Sequence, residues 1–284
     1  MTTFSACTWT DPERGFCEEI AFVDNAMFTV TVAPLDVPRG LTLICPPLAD
    51  DLVRNYRREV VLGRRLAREG IASQRFHYRS TGNSLGETQR MDWSNIVDDA
   101  RTALRVGTER FTGVPLAFFG TRFGGMVAAA IASEHAGAPA ALWDPVPTLA
   151  DFVRDVVRIE RLVALGDRSP DAATPAGGRT ALATRRLPAP LVDERDVHSL
   201  TSVVNGGLGA VFVASIVEGL DARGTNKAID ALRGLATSVE TASLDLEGSW
   251  WPVGPVRPRG EDDPWPLVDR TVAWLVNALG TAKQ

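Results

Sequence analysis

Val114–Ala130, VPLAFFGTRFGGMVAAA, is the stretch whose reading decides the fold. Its first part, VPLAFF, is a short unbroken apolar run, the pattern of a strand buried on both faces. GTRFGG then turns the chain within a few residues, and MVAAAIASEHA continues as a helix of small residues. A strand, a tight glycine turn and a helix make up one unit of a parallel α/β sheet. The same grammar extends outward on both sides. Leu41–Cys45 (LTLIC) is a second buried-type strand, ended by Pro46-Pro47. Residues 54–69 have helical spacing through Tyr56, Val60, Leu62 and Leu66, with Gly70 closing the helix. Residues 71–78 predict a strand, RSTGNSLGE (79–87) a loop and 92–106 a helix. Residues 140–143 predict a further strand, which Asp144-Pro145 stops. Strands alternating with helices from Leu41 to Pro145 predict a mostly parallel central sheet flanked by helices, with right-handed crossovers.

Upstream, residues 16–23 and 26–33 are β-prone runs joined by the turn-forming pair Asp24-Asn25, which predicts a hairpin. Downstream the pattern changes. Residues 149–163 predict an amphipathic helix, and 164–196 are rich in Gly, Pro, Ala and Arg with weak periodicity. Residues 198–220 read as a Gly-rich turn and a helix, 226–235 as another helix and 239–246 as a late strand. Asp263 and Pro264 are fitting start signals for a closing helix over 265–279. The expected organisation is a core in two parts, 1–146 and 237–284, with a lid or cap insertion over 147–236.

Composition narrows the function classes. With 45% apolar and 23% charged residues and a formal net charge of −5, the chain is an ordinary globular protein. Such a charge offers no general attraction to nucleic acid or to an anionic membrane. No apolar run is long enough to span a bilayer, and MTTFSACTWTDPERGF lacks the basic start and apolar run of a signal peptide. Cys7, Cys17 and Cys45 are odd in number and form no C-x-x-C pair. That fits reduced thiols and predicts a cytoplasmic protein. No metal-ligand spacing stands out, so neither a metal nor a cofactor is expected, and the implied partner is a small molecule.

In open α/β sheets, ligands bind beyond the carboxyl ends of the strands. Four such ends are legible: 45–51, 79–86, 120–125 and 144–147. The sharpest is Gly120-Thr121-Arg122-Phe123-Gly124, which has the glycine spacing of G-x-S-x-G, the elbow on which a serine nucleophile is mounted. The apex here is Arg122, which stays protonated and cannot attack a carbonyl. A histidine base should follow the last strand, yet the three histidines are His77, His135 and His198. Each is read as structural or surface in role.

The loop RSTGNSLGE with Trp93 and Asp98-Asp99 in the following helix is similar to the block after the fourth strand of α/β-hydrolases. More narrowly, CPPLADDLVRNYRREV, GTRFGGMVAAA and ALWDPVPTLADFVRDVVR together resemble exosortase-A-system-associated hydrolases of the second type. The resemblance implies an α/β-hydrolase fold and some chemistry on acyl groups. Against the general pattern stand Arg122, His77 where an aspartate is commoner, and the lack of a late histidine.

Arg122 at a helix N-terminus could grip a ligand carboxylate or phosphate. Equally, it could form an internal ion pair with Asp144, Asp50 or Asp51, since a buried charge must be paired. Arg122 and Asp144 are the candidate catalytic residues. Cys45, Leu48, Asp50 and Asp51 after the second strand, with Thr121 and Phe123 beside the elbow, are the candidate substrate-binding residues. Asp50 and Asp51 could also serve simply as acidic helix-start residues, Cys45 as buried filler, and Asp144 as a cap on its turn. Trp250-Trp251 could wall an apolar pocket. Two functions follow. One is a hydrolase or acyl-transfer enzyme acting on a small ester, thioester or other acyl substrate without a Ser-His-Asp triad. The other is an inactive pseudo-hydrolase binding a small anionic or acyl ligand or a partner protein.

Overall fold

The computed structural model describes residues 3–87, 90–166, 183, 186–215, 222–244 and 260–281. In chain order its strands are β1 (Thr3–Asp11), β2 (Phe16–Val23), β3 (Met27–Pro34), β4 (Gly40–Cys45), β5 (Ile71–Phe76), β6 (Leu116–Thr121), β7 (Ala140–Trp143), β8 (Leu208–Ser215) and β9 (Ala236–Ser243). They form one sheet in the order β1-β2-β3-β5-β4-β6-β7-β8-β9. The first three strands form an antiparallel meander that joins β5 antiparallel, and every pairing from β5 through β4 to β9 is parallel. Chain order reverses around β4, which lies between β5 and β6. The crevice beyond its carboxyl end is therefore the natural ligand position.

Helices α1 (Asp50–Arg68) and α8 (Pro266–Thr281) cover one face of the sheet, and α2 (Trp93–Arg110) and α3 (Phe123–Ala132) cover the other. The pleat assigns the strand residues. Leu43, Phe118, Leu142 and Val213 enter the core beneath α2 and α3, while Ile44, Phe119, Trp143 and Phe212 enter the core beneath α1 and α8. Because both faces are covered, the central strands read as continuous apolar runs rather than as alternation.

Two elements depart from the sequence reading. The N-terminal stretch Thr3–Asp11 is an edge strand paired along β2. Leu208–Ser215, read as part of the insertion, is β8 and lies between β7 and β9. Its two sides are buried in different cores, so it lacks the two-residue period that marks a half-buried strand. The segment inserted between β7 and β8 thus runs over 144–207. The inserted segment includes α4 (Leu149–Gly166), α5 (Ala189–Asp193) and α6 (Leu200–Val203), while α7 (Ala222–Arg233) follows β8. A small lattice ties its base: Leu149 N–H donates to His198 O, Leu200 N–H donates to Pro147 O, and Thr148 bridges Ser199. Most of 164–196, and Trp250-Trp251, lie outside the described residues. Among the described residues no helix is long and apolar enough to cross a membrane.

Candidate functional site

The elbow forms where the sequence places it, and backbone crowding explains its glycines. A Cβ at Gly120 would sit 2.2 Å from Gly124 O, and one at Gly124 would sit 2.2 Å from Cys45 O. The turn therefore brings β6, α3 and the end of β4 into direct backbone contact. Arg122 occupies the apex at φ 53° and ψ −116°. A non-glycine residue held there costs of order 1–3 kcal/mol, so the surroundings must enforce it. Three hydrogen bonds do so: Arg122 N–H donates to Trp143 O at 2.8 Å, and Arg122 O accepts from Gly125 N–H at 3.0 Å and Val146 N–H at 3.4 Å.

Arg122 is 8% exposed, and its guanidinium is met by carboxylates. Nη2 donates to Asp155 Oδ2 at 2.7 Å, and Nε donates to Asp51 Oδ2 at 3.4 Å. Burial works against the Arg122 charge, but Asp51 and Asp155 outweigh it and hold the group above its ordinary pKa. Burial lifts Asp51 above the usual carboxylate range although Arg122 and Arg54 oppose the lift. In this structure Arg122 forms an internal pair. One partner, Asp51, was among the three carboxylates named from the sequence, whereas the other, Asp155, comes from the inserted α4.

A small cleft opens over this group. Leu48, Asp50, Asp51, Arg122, Phe152, Asp155 and Glu160 are among its walls, and the space at its mouth, open solvent included, is about 310 Å³. The room it leaves for the centre of a water-sized sphere is about 10 Å³, enough for roughly one water. Arg186 closes one side through Asp50, at 3.2 Å, and Glu160. Four of the eight residues named from sequence, Arg122, Leu48, Asp50 and Asp51, line the cleft. The other four do not. Asp144, fully buried at φ 39°, accepts from Thr225 Oγ1 at 2.9 Å, and its N–H donates to Ala214 O, so it fastens β7 to β8 and α7. Cys45 is buried, which keeps its thiol protonated. The Phe123 ring packs on Phe152 at 5.1 Å and supports α4. Thr121 points to the opposite side of the sheet, under α1.

Sequence reasoning missed the residues that α4 contributes. Phe152, Asp155, Val156, Ile159 and Glu160 recur at three- and four-residue spacing, which puts them on one helix face. The signal was present, but a stripe of mixed carboxylates and apolar residues does not announce a pocket wall.

None of the three histidines lines the cleft. His77 stacks on Phe28 at 4.9 Å and accepts from Asn83 N–H at Nδ1. His135 stacks on Phe118, and His198 stacks on Trp93 at 5.0 Å. Among the described residues no group of His, Cys, Asp and Glu is arranged to hold a metal.

Beneath the elbow, the face covered by α1 carries a polar strip. Thr42 on β4 pairs in register with Ser73 on β5; Arg75, Thr121 and Glu59 continue the strip. Each has a buried polar atom without a hydrogen bond: Thr42 Oγ1, Ser73 Oγ, Arg75 Nε, Thr121 Oγ1 and Glu59 Oε1. Burial pushes Glu59 up to about 8, against the pull of Arg75. Burial pushes His77 down to about 4, with Arg75 adding to the shift. The signs are opposite. Folded Glu59 keeps a proton that the unfolded chain releases, so its contribution to stability is lost as pH rises from about 4.5 to about 8. Folded His77 stays neutral while the unfolded chain takes up a proton, so its contribution is lost as pH falls from about 6.5 to about 4. The two slopes oppose each other on the acid side, and above about 6.5 the Glu59 slope stands alone. Glu59→Gln is therefore expected to raise Tm by several degrees at pH 8 and to change it little at pH 5. Thermal unfolding across that range checks this; an equal shift at both pH values would contradict it.

No family model matches the sequence, and comparison with curated proteins finds no similar sequence. Solved structures do match the fold. Carboxyl esterase 2 from the fungus Tuber melanosporum aligns at 14% identity and TM-score 0.59, over 96% of this chain and 88% of its own. An S-formylglutathione hydrolase from Agrobacterium tumefaciens aligns at 12% identity and TM-score 0.59, over 97% and 99%. Esterase B from Lactobacillus rhamnosis aligns at 16% identity and TM-score 0.56, over 95% and 87%. Likeness at such identities concerns architecture. Sheet order, elbow geometry and these structural matches together give the chain the α/β-hydrolase fold.

Proposed function

We propose that this protein is a pseudo-hydrolase, which binds a small ligand in the cleft over Arg122 and does not cleave esters from the elbow. One observation carries the reading: the apex residue is a cation held in place by Asp51 and Asp155. A guanidinium has no lone pair to offer a carbonyl, and here its donors are turned to carboxylates rather than to an incoming oxyanion. Two features support it. The loop after β4, which in serine hydrolases supplies an oxyanion N–H, begins with Pro46-Pro47, neither of which has one. The chain also carries no histidine after His198, so the loop following β9 has no imidazole to serve as general base. The resemblance of its motif blocks to exosortase-A-system-associated hydrolases of the second type suits an accessory role of this kind.

A second reading has one observation behind it. Asp51 is a buried carboxyl with a raised pKa at the cleft wall, and such a group can take a proton from water. In that case the protein would hydrolyse a small ester or thioester by direct attack of water, in keeping with the esterases that share its fold. A panel of short acyl esters and thioesters separates the two. The pseudo-hydrolase reading expects no turnover above background for the wild type or for Arg122→Ser, because a restored hydroxyl still lacks a histidine partner. Turnover that Asp51→Asn abolishes would establish the second reading instead.

A further inference from the structure

We infer that the cleft over Arg122 seats the ammonium head of a short alkylamine, with Asp51 as the anchoring carboxylate. The inference rests on the ligand-binding reading above and names the chemistry of the ligand. An arginine in the elbow suggests an anion, but the charges around it point the other way. The cleft walls hold Asp50, Asp51, Asp155 and Glu160 against Arg122 and Arg186. Arg54, one helical turn from Asp51, adds its field without lining the cleft. Among the described residues carboxylates still outnumber guanidiniums, so a second cation is accommodated more readily than an anion.

Asp51 supplies the independent sign. It is 5% exposed, its Oδ2 is engaged by Arg122, and its Oδ1 has no hydrogen-bond partner. A buried carboxylate oxygen left unsatisfied costs free energy that a donor would recover. An ammonium group brings N–H donors and the matching charge, and the cleft leaves room for a group of about the size of water. Leu48, Phe152, Val156 and Ile159 flank the carboxylates and offer an aliphatic chain an apolar wall. A metal ion is a poorer occupant, since among the described residues these carboxylates do not converge as a ligand set.

Three probes with the same carbon chain and different charge test this: butylammonium, butan-1-ol and butyrate, titrated calorimetrically at neutral pH and constant ionic strength. The expected order is butylammonium tightest, butanol next and butyrate weakest. Asp51→Asn keeps an oxygen for Arg122 and should weaken butylammonium about tenfold while leaving butanol unchanged. If that variant fails to fold, Glu160→Gln should weaken butylammonium several-fold. Butyrate binding most tightly would overturn the amine and leave the ligand-binding reading standing. Failure of all three probes to bind would also overturn the amine, with a water then sufficing for Asp51. Turnover in the ester panel would strike the ligand-binding reading itself, whatever the amine result.

Discussion

Gly124→Ala is expected to leave the protein unable to hold its native elbow. The added Cβ would lie 2.2 Å from Cys45 O and 2.6 Å from Pro46 O, and both are backbone atoms at the end of a central strand. Neither can turn aside as a side-chain tip can. Relief requires moving β4 away from α3, against cores that are closely packed on both faces. Overpacking of ordinary core positions costs about 1–3 kcal/mol, and this site should exceed that range. The loss would take most or all of the stability typical of a domain. Urea unfolding, or the yield of folded protein where none survives to be unfolded, checks this. A variant within 1 kcal/mol of wild type would mean that the elbow is looser than its geometry implies.

The second large effect is expected at Arg122. Removing one member of a buried ion pair typically costs about 3–5 kcal/mol, because the partner is left charged and unanswered. Arg122→Ala should fall in that range, since Asp51 is as buried as the arginine. Arg122→Gly should be milder by about 1 kcal/mol, because glycine adopts a positive φ without strain. Adding Asp51→Asn to Arg122→Ala should restore part of the loss, and the double-mutant cycle isolates the coupling. If Arg122→Ala costs nothing, the pair with Asp51 and Asp155 contributes nothing net.

The parallel half of the sheet was legible in the sequence because its strands are short apolar runs closed by Pro46-Pro47, Gly120 and Asp144-Pro145. The elbow was legible from two glycines alone, since backbone contact at those positions admits nothing larger. β8 was not, because a strand buried in two different cores has no period that separates it from a helix segment. The site was half legible. Asp50, Asp51 and Leu48 follow β4 in sequence and reach the elbow through sheet topology, which strand order predicts. Asp155 and Glu160 arrive on a helix from the insertion, and their docking depends on the Phe152–Phe123 contact, which leaves no mark in local spacing. Asp144 fits the expected strand end, but its carboxylate turns to Thr225 on α7, a partner 81 residues away in sequence.

The polar strip under α1 bears on how the molecule breathes. α3 rests on an apolar floor, while α1 rests on one interrupted by Thr42, Ser73, Arg75 and Thr121. A layer held by fewer apolar contacts opens at lower free energy. In hydrogen–deuterium exchange, the amides of α1 should therefore label well before those of α3. Since α1 begins with Asp50 and Asp51, the rarely populated open form that admits solvent beneath this helix would also part Asp51 from Arg122.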